Sequence, residues 1–294
     1  MNALPLTGCS VGISISESED TLGASFDSHE VNRCVCLLAE TLLGNGARLV
    51  FGHDWRPDGV MMAVADFALR YAPPGSRSPS ESPSSPLIVN RLAPPDKPFL
   101  RPVKRSRSSP DEGEENSDIV RNQLSAMLGG IVDAKTISYL PTGDNRRIRL
   151  AEGLSHLREE LTGLCDTRIC IGGRFKGFRG WYPGVAEEAY LALAHKQPLY
   201  ISAIFGGTSA AIAKFVLNGG RPPVWKPAPL GEKTARRSPL SFEGLRLMPN
   251  GLTAEEQARL CDPPSLEACV ELILRGLVKW WTRPAGPSQK PTRG

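Results

Sequence analysis

Short apolar segments that end in serine or glycine, each followed by a helical segment, restrict the fold of this chain more than any other feature. Small and β-branched residues dominate the apolar segments, and the segments after them carry apolar residues at helical spacing. The apolar segments are CSVGISIS (9–16), ARLVFG (47–52), TRICIGG (167–173) and PLYISAIFGG (198–207). Alternating strands and helices are typical of a parallel sheet covered on both faces. We therefore predict an α/β fold with a Rossmann-like, doubly wound, mainly parallel sheet.

The composition changes abruptly after the second predicted helix. Residues 72–118 are rich in proline, serine and charge, so most of them bury too little apolar surface to become ordered. PLIVNRLAPP (86–95) is the exception and has the composition of a strand. We predict one domain over residues 1–294, with a disordered insertion at 72–118, an irregular stretch at 221–250 and a C-terminal helical extension at 250–282.

Composition also limits the classes of partner. Lys and Arg exceed Asp and Glu by only 35 to 31, and a basic stripe that would favour nucleic acid is not evident. The first residues lack a signal-peptide pattern, and no apolar run reaches the roughly 18 residues of a membrane span. We therefore expect a cytoplasmic protein without a membrane partner.

The cysteine and histidine spacing predicts neither a metal site nor a catalytic triad. The seven cysteines include no CxxC pair, and their odd number argues against a disulfide framework, so buried, unreactive thiols are expected. His29, His53, His156 and His195 lack the spacing of zinc ligands. Neither a GxGxxG motif after the first strand nor a P-loop is present. We expect no metal and no cofactor.

Four predicted strand exits carry polar residues or glycines, and in open parallel sheets ligands bind beyond the carboxyl ends of the strands. Hydroxyls, glycine amides, a helix N-terminus and arginine all suit phosphate oxygens. We therefore predict a pocket for a small anionic nucleotide. Its candidate residues are Ser14, Ser16, Gly52, His53, Asp54, Arg56, Gly172, Gly173, Arg174, Gly177, Gly180, Pro183, Gly184, Glu187, Glu188, Gly206 and Gly207.

Each part of this prediction has a structural alternative. The glycines would also serve tight turns. Glu187 and Glu188 would be stabilised by the helix dipole alone, although one of them is placed to bind a ribose hydroxyl. Asp54 and Arg56 would equally pair with each other across their loop.

Four motifs resemble those of the SLOG superfamily, whose members have Rossmann-like domains. They are the strand end VGISISES, the loop FGHDWRPDG, the long segment GGRFKGFRGWYPGVAEEA (172–189) and the turn AIFGGTSAAI. The likeness is closest to the prokaryotic branch of the cytoplasmic sensors of melastatin-type cation channels, and more distant to the "lonely guy" phosphoribohydrolases. It covers about residues 9–71, 150–218 and 250–279. In this family the corresponding loops are YGGDLR and GGFGG, so His53 and the turn AIFGG depart from the pattern.

The resemblance implies binding of nucleotides or NAD-derived molecules such as ADP-ribose, in a sensing module of bacterial stress or antiphage systems. An effector protein and a second copy of the chain are the partners that it implies. The hydrolase relatives suggest the alternative of a nucleotide N-glycosidase, because Glu188 matches their catalytic Glu and Arg158 roughly matches their Arg. Val185 stands where those relatives have Thr, and the PGG turn is expanded. A scaffold with a degenerate pocket is the further alternative.

Overall fold

The computed structural model describes residues 3–19, 28–52, 60–72, 86–93, 128, 130–139, 145–219, 221–230 and 237–283. Within these described residues the main sheet has six parallel strands: β1 (Ser10–Ser16), β2 (Arg48–Phe51), β3 (Ile88–Leu92), β4 (Val132–Thr136), β5 (Thr167–Gly172) and β6 (Leu199–Ser202). They lie in the order β4-β3-β2-β1-β5-β6. The predicted α/β, Rossmann-like parallel sheet is confirmed.

The strand order reverses between β1 and β5. The chain moves outward on one side through β2, β3 and β4, then crosses the sheet to β5 and moves outward on the other side to β6. The register pairs Ser14 with Cys170 and Ser16 with Gly172. Two predicted strand exits therefore lie side by side at the topological switch point, where ligands bind in this class of fold.

Seven helices occur in the described part of the chain. They are α1 (Ser28–Gly44), α2 (Val60–Tyr71), α3 (Arg146–Leu164), α4 (Gly184–Ala194), α5 (Gly207–Asn218), α6 (Ala254–Cys261) and α7 (Leu266–Trp281). The buried residues of α1, α2 and α7 share one apolar core, whereas those of α4 and α5 belong to a second. Because β–α–β connections are almost always right-handed, helices that follow strands on opposite sides of β1 are expected on opposite faces of the sheet.

Local signals define several helix ends. The Asn145 side chain accepts a hydrogen bond of 2.9 Å from the Ile148 amide at the start of α3. Thr253 and Glu256 form a reciprocal capping box at the start of α6. Gly219 adopts a left-handed conformation after α5. Each of these devices satisfies backbone groups that the helix leaves unpaired.

The structure agrees with the one strand predicted inside the insertion and adds three strands that were not predicted. β3 is the strand expected at PLIVNRLAPP, inside the insertion 72–118, and it joins the main sheet, whereas residues 73–85 and 94–127 fall outside the described residues. β4 was not predicted, because VDAKT carries polar residues that an edge strand can leave half-exposed. A small antiparallel pair, β7 (Val224–Trp225) and β8 (Leu240–Ser241), lies in the stretch that was predicted to be irregular.

The predicted C-terminal helices pack on the body of the domain. Leu266, Ile273 and Leu277 of α7 are buried in the same core as α1. Gly276 accommodates the tight contact, because a Cβ there would lie 2.7 Å from the Tyr200 ring. In the part of the chain that the structure describes, no helix is both long and apolar enough to cross a membrane.

Candidate functional site

Three strand exits converge at the carboxyl edge of the sheet. The Gly173 amide donates to the Ser16 carbonyl at 3.0 Å, and the Thr208 amide donates to the Gly173 carbonyl at 2.9 Å. Gly172, Gly173 and Gly207 have φ values of 72°, 96° and 63°. A Cβ on Gly172 would lie 2.1 Å from the Ser16 oxygen, and one on Gly207 would lie 2.1 Å from the Gly173 oxygen. These glycines thus permit backbone-to-backbone contact as well as positive φ.

Ser14 belongs to a buried ionic network beneath α4. Its hydroxyl donates to Glu188, and Arg168 Nη1 donates to Glu188 Oε2 at 2.8 Å and to Ser14 Oγ at 2.9 Å. Arg168 extends from β5 and is 1% exposed. Gly12 on the neighbouring strand makes room for it, because a Cβ there would lie 3.2 Å from the guanidinium carbon.

Glu187 completes this network on the side of α3. The Ser155 hydroxyl donates to Glu187 Oε1 at 2.6 Å, and Arg158 Nη1 donates to Glu187 Oε2. Arg158 Nε lies 3.7 Å from Glu188 Oε1, so one guanidinium links the two carboxylates. The buried Glu187 and the partly buried Glu188 therefore face two guanidinium groups, and the charges balance within the fold.

Glu187 and Glu188 contact side chains of neighbouring elements, which differs from the simple helix-dipole role that the sequence left open. Both carboxylates bind side chains from α3, β1 or β5 rather than the backbone amides at the start of α4. The structure brings Arg158 and Glu188 together, as the hydrolase alternative requires. It also fills the immediate surroundings of Glu188 with Ser14 and Arg168.

The loop after β5 holds two acids of the segment after β1. The Glu19 carboxylate accepts hydrogen bonds from the amides of Phe175 at 2.9 Å and Lys176 at 2.7 Å, while Arg174 pairs with Glu17. Burial raises the pKa of Glu19, but the two amides and Arg174 outweigh it, so the pKa is lowered overall. Two consecutive amides and a guanidinium thus already surround carboxylates on this loop.

The other predicted site residues have varied surroundings. A Cβ on Gly52 would lie 2.8 Å from Leu161, so this glycine packs against α3, while Gly177 has open space around it. The Pro183 carbonyl accepts from the Glu187 amide at 2.9 Å. Gly206 precedes α5 with a φ of 63°. His53, Asp54 and Arg56 lie outside the described residues.

Two of the predicted glycines position Arg158. A Cβ on Gly180 would lie 2.8 Å from Arg158 Nη1, and one on Gly184 would lie 2.9 Å from Nη2. The loop after β5 therefore passes directly over this guanidinium. At both positions the absence of a Cβ leaves room for this buried guanidinium.

Sequence reasoning missed Arg168 and Ser155. Arg168 had a signal, because a charged residue in a strand that is otherwise buried needs a partner, and Gly12 lies opposite it in the register. Ser155 lies three residues before Arg158, so the two share a face of α3. Glu187, the common partner of Ser155 and Arg158, is distant in the sequence, so no local pattern indicated this contact.

The cysteines supply no activated nucleophile among the described residues. Burial raises the pKa of the Cys170 thiol to about 12, although Arg168 opposes the shift. Cys165 is also buried, and its pKa is raised mainly by desolvation. In the described ranges, no group of three or more His, Cys, Asp or Glu side chains is arranged to hold a metal ion.

The sequence of this chain matches the model of one protein family. The model of the family described as SLOG cluster2 matches residues 5–245. Searches of curated proteins and of solved structures give no match. Because the family model covers most of the chain, the protein belongs to the SLOG family. The family assignment supports a nucleotide-related role in ligand binding or processing, whereas the closer likeness to the channel-sensor branch stays a prediction.

Proposed function

We propose that this member of the SLOG family binds an anionic nucleotide or an NAD-derived ligand of the ADP-ribose type, and acts as a sensor rather than an enzyme. The ligand phosphate would bind at the loop over residues 172–184. One observation carries the proposal: the amides of Phe175 and Lys176 hold the Glu19 carboxylate, beside Arg174. That contact supports an anion as the ligand, because the same donors suit phosphate oxygens.

Phosphate and carboxylate oxygens use the same donors. Consecutive backbone amides form anion-binding concavities, and a guanidinium contributes a bidentate, charge-assisted contact. A nucleotide phosphate also carries more charge than the carboxylate that it would replace. The Arg174 side chain is 47% exposed, so its pair with Glu17 contributes at most about 1 kcal/mol. Exchange of these acids for a ligand therefore costs little.

The buried network supports binding without turnover. Cleavage of an N-glycosidic bond needs a carboxylate close to the sugar. Glu188 instead accepts from Ser14 and Arg168, and its side chain is 17% exposed. A carboxylate held this way stabilises the fold and has little freedom to approach a sugar.

The N-glycosidase alternative has one observation in its favour. Arg158 Nε lies 3.7 Å from Glu188 Oε1, so the two groups that the hydrolase relatives use are adjacent. Incubation of the purified protein with AMP, NAD and ADP-ribose separates the two functions. Release of free base that disappears in Glu188→Gln, with circular dichroism showing a folded variant, would establish the enzyme.

Thermal denaturation with the same ligands tests binding. At 100 times the dissociation constant, a ligand that binds only the native state adds about 2.7 kcal/mol of stability. Arg174→Ala should remove most of this gain, whereas Arg246→Ala, which removes an exposed arginine on another segment, should leave it unchanged. Glu19→Gln should strengthen binding, because a neutral amide competes less well for the two amides. No stabilisation by any nucleotide would favour a scaffold with a degenerate pocket.

The sensing role extends to association. Ligand binding is proposed to alter contact with an effector protein or with a second copy of the chain, in a bacterial stress or antiphage pathway. Light scattering with and without ADP-ribose measures self-association. An unchanged molar mass in the presence of bound ligand would leave the effector as the expected receiver of the signal.

A further inference from the structure

A cavity of about 580 Å³ lies between α3, α4, the segment 237–240 and the end of the loop over residues 172–184, and its lining does not include Phe175 or Lys176, which hold Glu19. Small-molecule sites in proteins have volumes of roughly 300–1,000 Å³. The hydroxyl of Tyr182 donates to the Ser238 carbonyl at 2.5 Å, which ties the segment before β8 to the loop before α4. The cavity therefore has walls from three parts of the chain.

Aromatic rings and carboxylates dominate the lining. Trp181, Tyr182 and Tyr190 supply the rings, and Glu152 and Glu159, two turns apart on α3, supply carboxylates. Glu152 is 8% exposed, whereas the side chain of Glu159 is 59% exposed. One acid is therefore deep and the other lies near solvent. A carboxylate has about four lone-pair sites, so each keeps acceptor capacity beside its existing contacts.

The charges of the lining favour a ligand with hydrogen-bond donors over an anionic ligand. Glu187 also faces the cavity, but Arg158 behind it balances its charge. Arg237 is the one basic residue in the described lining, against Glu152 and Glu159. Its guanidinium lies 4.6 Å from the centre of the Trp181 ring. The chain thus already stacks a planar group with N–H donors against this aromatic wall.

We propose that this cavity binds a planar ligand with two adjacent N–H donors, the edge that guanine bases and guanidinium compounds share. The partly exposed Tyr190 ring would stack on the plane of the ligand, Trp181 would form the buried wall behind it, and Glu152 would accept its two N–H groups in a bidentate contact. The proposal does not rest on the anion-binding loop, which is the part of the loop after β5 around residues 174–176. None of the contacts of Arg174 or Glu19 is used in the argument.

Calorimetry on the full chain tests the proposal with guanosine, inosine and agmatine. Inosine lacks only the exocyclic amino group of guanosine, so it should bind about tenfold more weakly if one charge-assisted hydrogen bond is lost. Tighter binding of guanosine than of agmatine identifies a base as the ligand, and the reverse order identifies a guanidinium compound. Failure of both to bind at millimolar concentration would overturn the proposal.

Variants locate the binding. Glu152→Gln should weaken the affinity for guanosine or agmatine at least tenfold, and Glu159→Gln should weaken it less. Glu243→Gln changes an exposed acid outside the lining, so it should leave the affinity unchanged. Leu191→Trp enlarges another lining residue, so it should block binding without removing a polar group. Unchanged affinity in both Glu152→Gln and Leu191→Trp would refute the site. Loss of binding in Arg174→Ala would place the ligand at the anion-binding loop instead, while intact binding there would separate the two sites.

Discussion

The buried network beneath α4 and the exposed loop after β5 solve the same electrostatic problem in different surroundings. In the network, Arg158 and Arg168 neutralise Glu187 and Glu188, and both arginine side chains are at most 10% exposed. On the loop, Arg174 and two amides neutralise Glu17 and Glu19 close to solvent. The pairing chemistry is similar, but the cost of breaking it is not.

Burial decides that cost. Removing one partner of a buried ion pair typically costs 3–5 kcal/mol, because the other charge is left without water or counter-charge. An exposed pair contributes about 0–1 kcal/mol, since water replaces the lost partner. The network is therefore suited to fixing the position of α4 against the sheet, and the loop is suited to exchanging its own acids for another anion.

Arg168→Met should produce the largest effect. It leaves the partly buried Glu188 with only Ser14 and the more distant Arg158, so the free energy of unfolding should fall by about 3 kcal/mol. Denaturant titration measures the change. The double variant Arg168→Met/Glu188→Gln should recover part of the loss, because it removes the unpaired charge. No loss in the single variant would show that this buried pair does not stabilise the fold.

Substitutions of two glycines with positive φ separate the effect of close packing from that of backbone strain. Gly207 follows β6 in close contact with Gly173, and Gly177 lies in the loop after β5. Gly207→Ala should cost about 2–4 kcal/mol, because it combines positive φ with a Cβ 2.1 Å from the Gly173 oxygen. Gly177→Ala adds a Cβ at similar φ in open space, so only the backbone strain of about 1–2 kcal/mol remains. Thermal unfolding of both variants gives the difference. Equal losses would contradict the close packing of the strand exits.

Glu19→Gln should have the smallest effect on stability, below about 1 kcal/mol at neutral pH. The pKa of Glu19 is lowered in the folded chain, so its contribution is present above the ordinary glutamate value of about 4.3 and is lost as the pH falls through the lowered value. The variant should therefore differ from the original chain at about pH 6 and converge with it at low pH. Carboxyl chemical shifts of Glu19 would check the direction, and a raised pKa would contradict it.

The sequence predicted the parallel α/β fold because each strand and helix carries its own apolar period. It also marked the glycines after β5 and β6, since positive φ and close approach favour glycine locally. It did not predict β4, whose polar residues lie at the edge of the sheet. It did predict β3 within the proline- and serine-rich insertion, because PLIVNRLAPP combines apolar, β-branched residues with flanking breakers.

The amino-acid order by itself determined most of the strands and helices and the turns that need glycine, because these depend on neighbours along the chain. The tertiary structure alone decided that Glu188 meets Ser14 and Arg168, and that Glu19 meets the loop after β5. Ser14 and Glu188 are 174 positions apart, and Glu19 and Phe175 are 156 apart. The partner of a charge is set by which strands lie side by side, and that order is fixed only when the whole sheet packs.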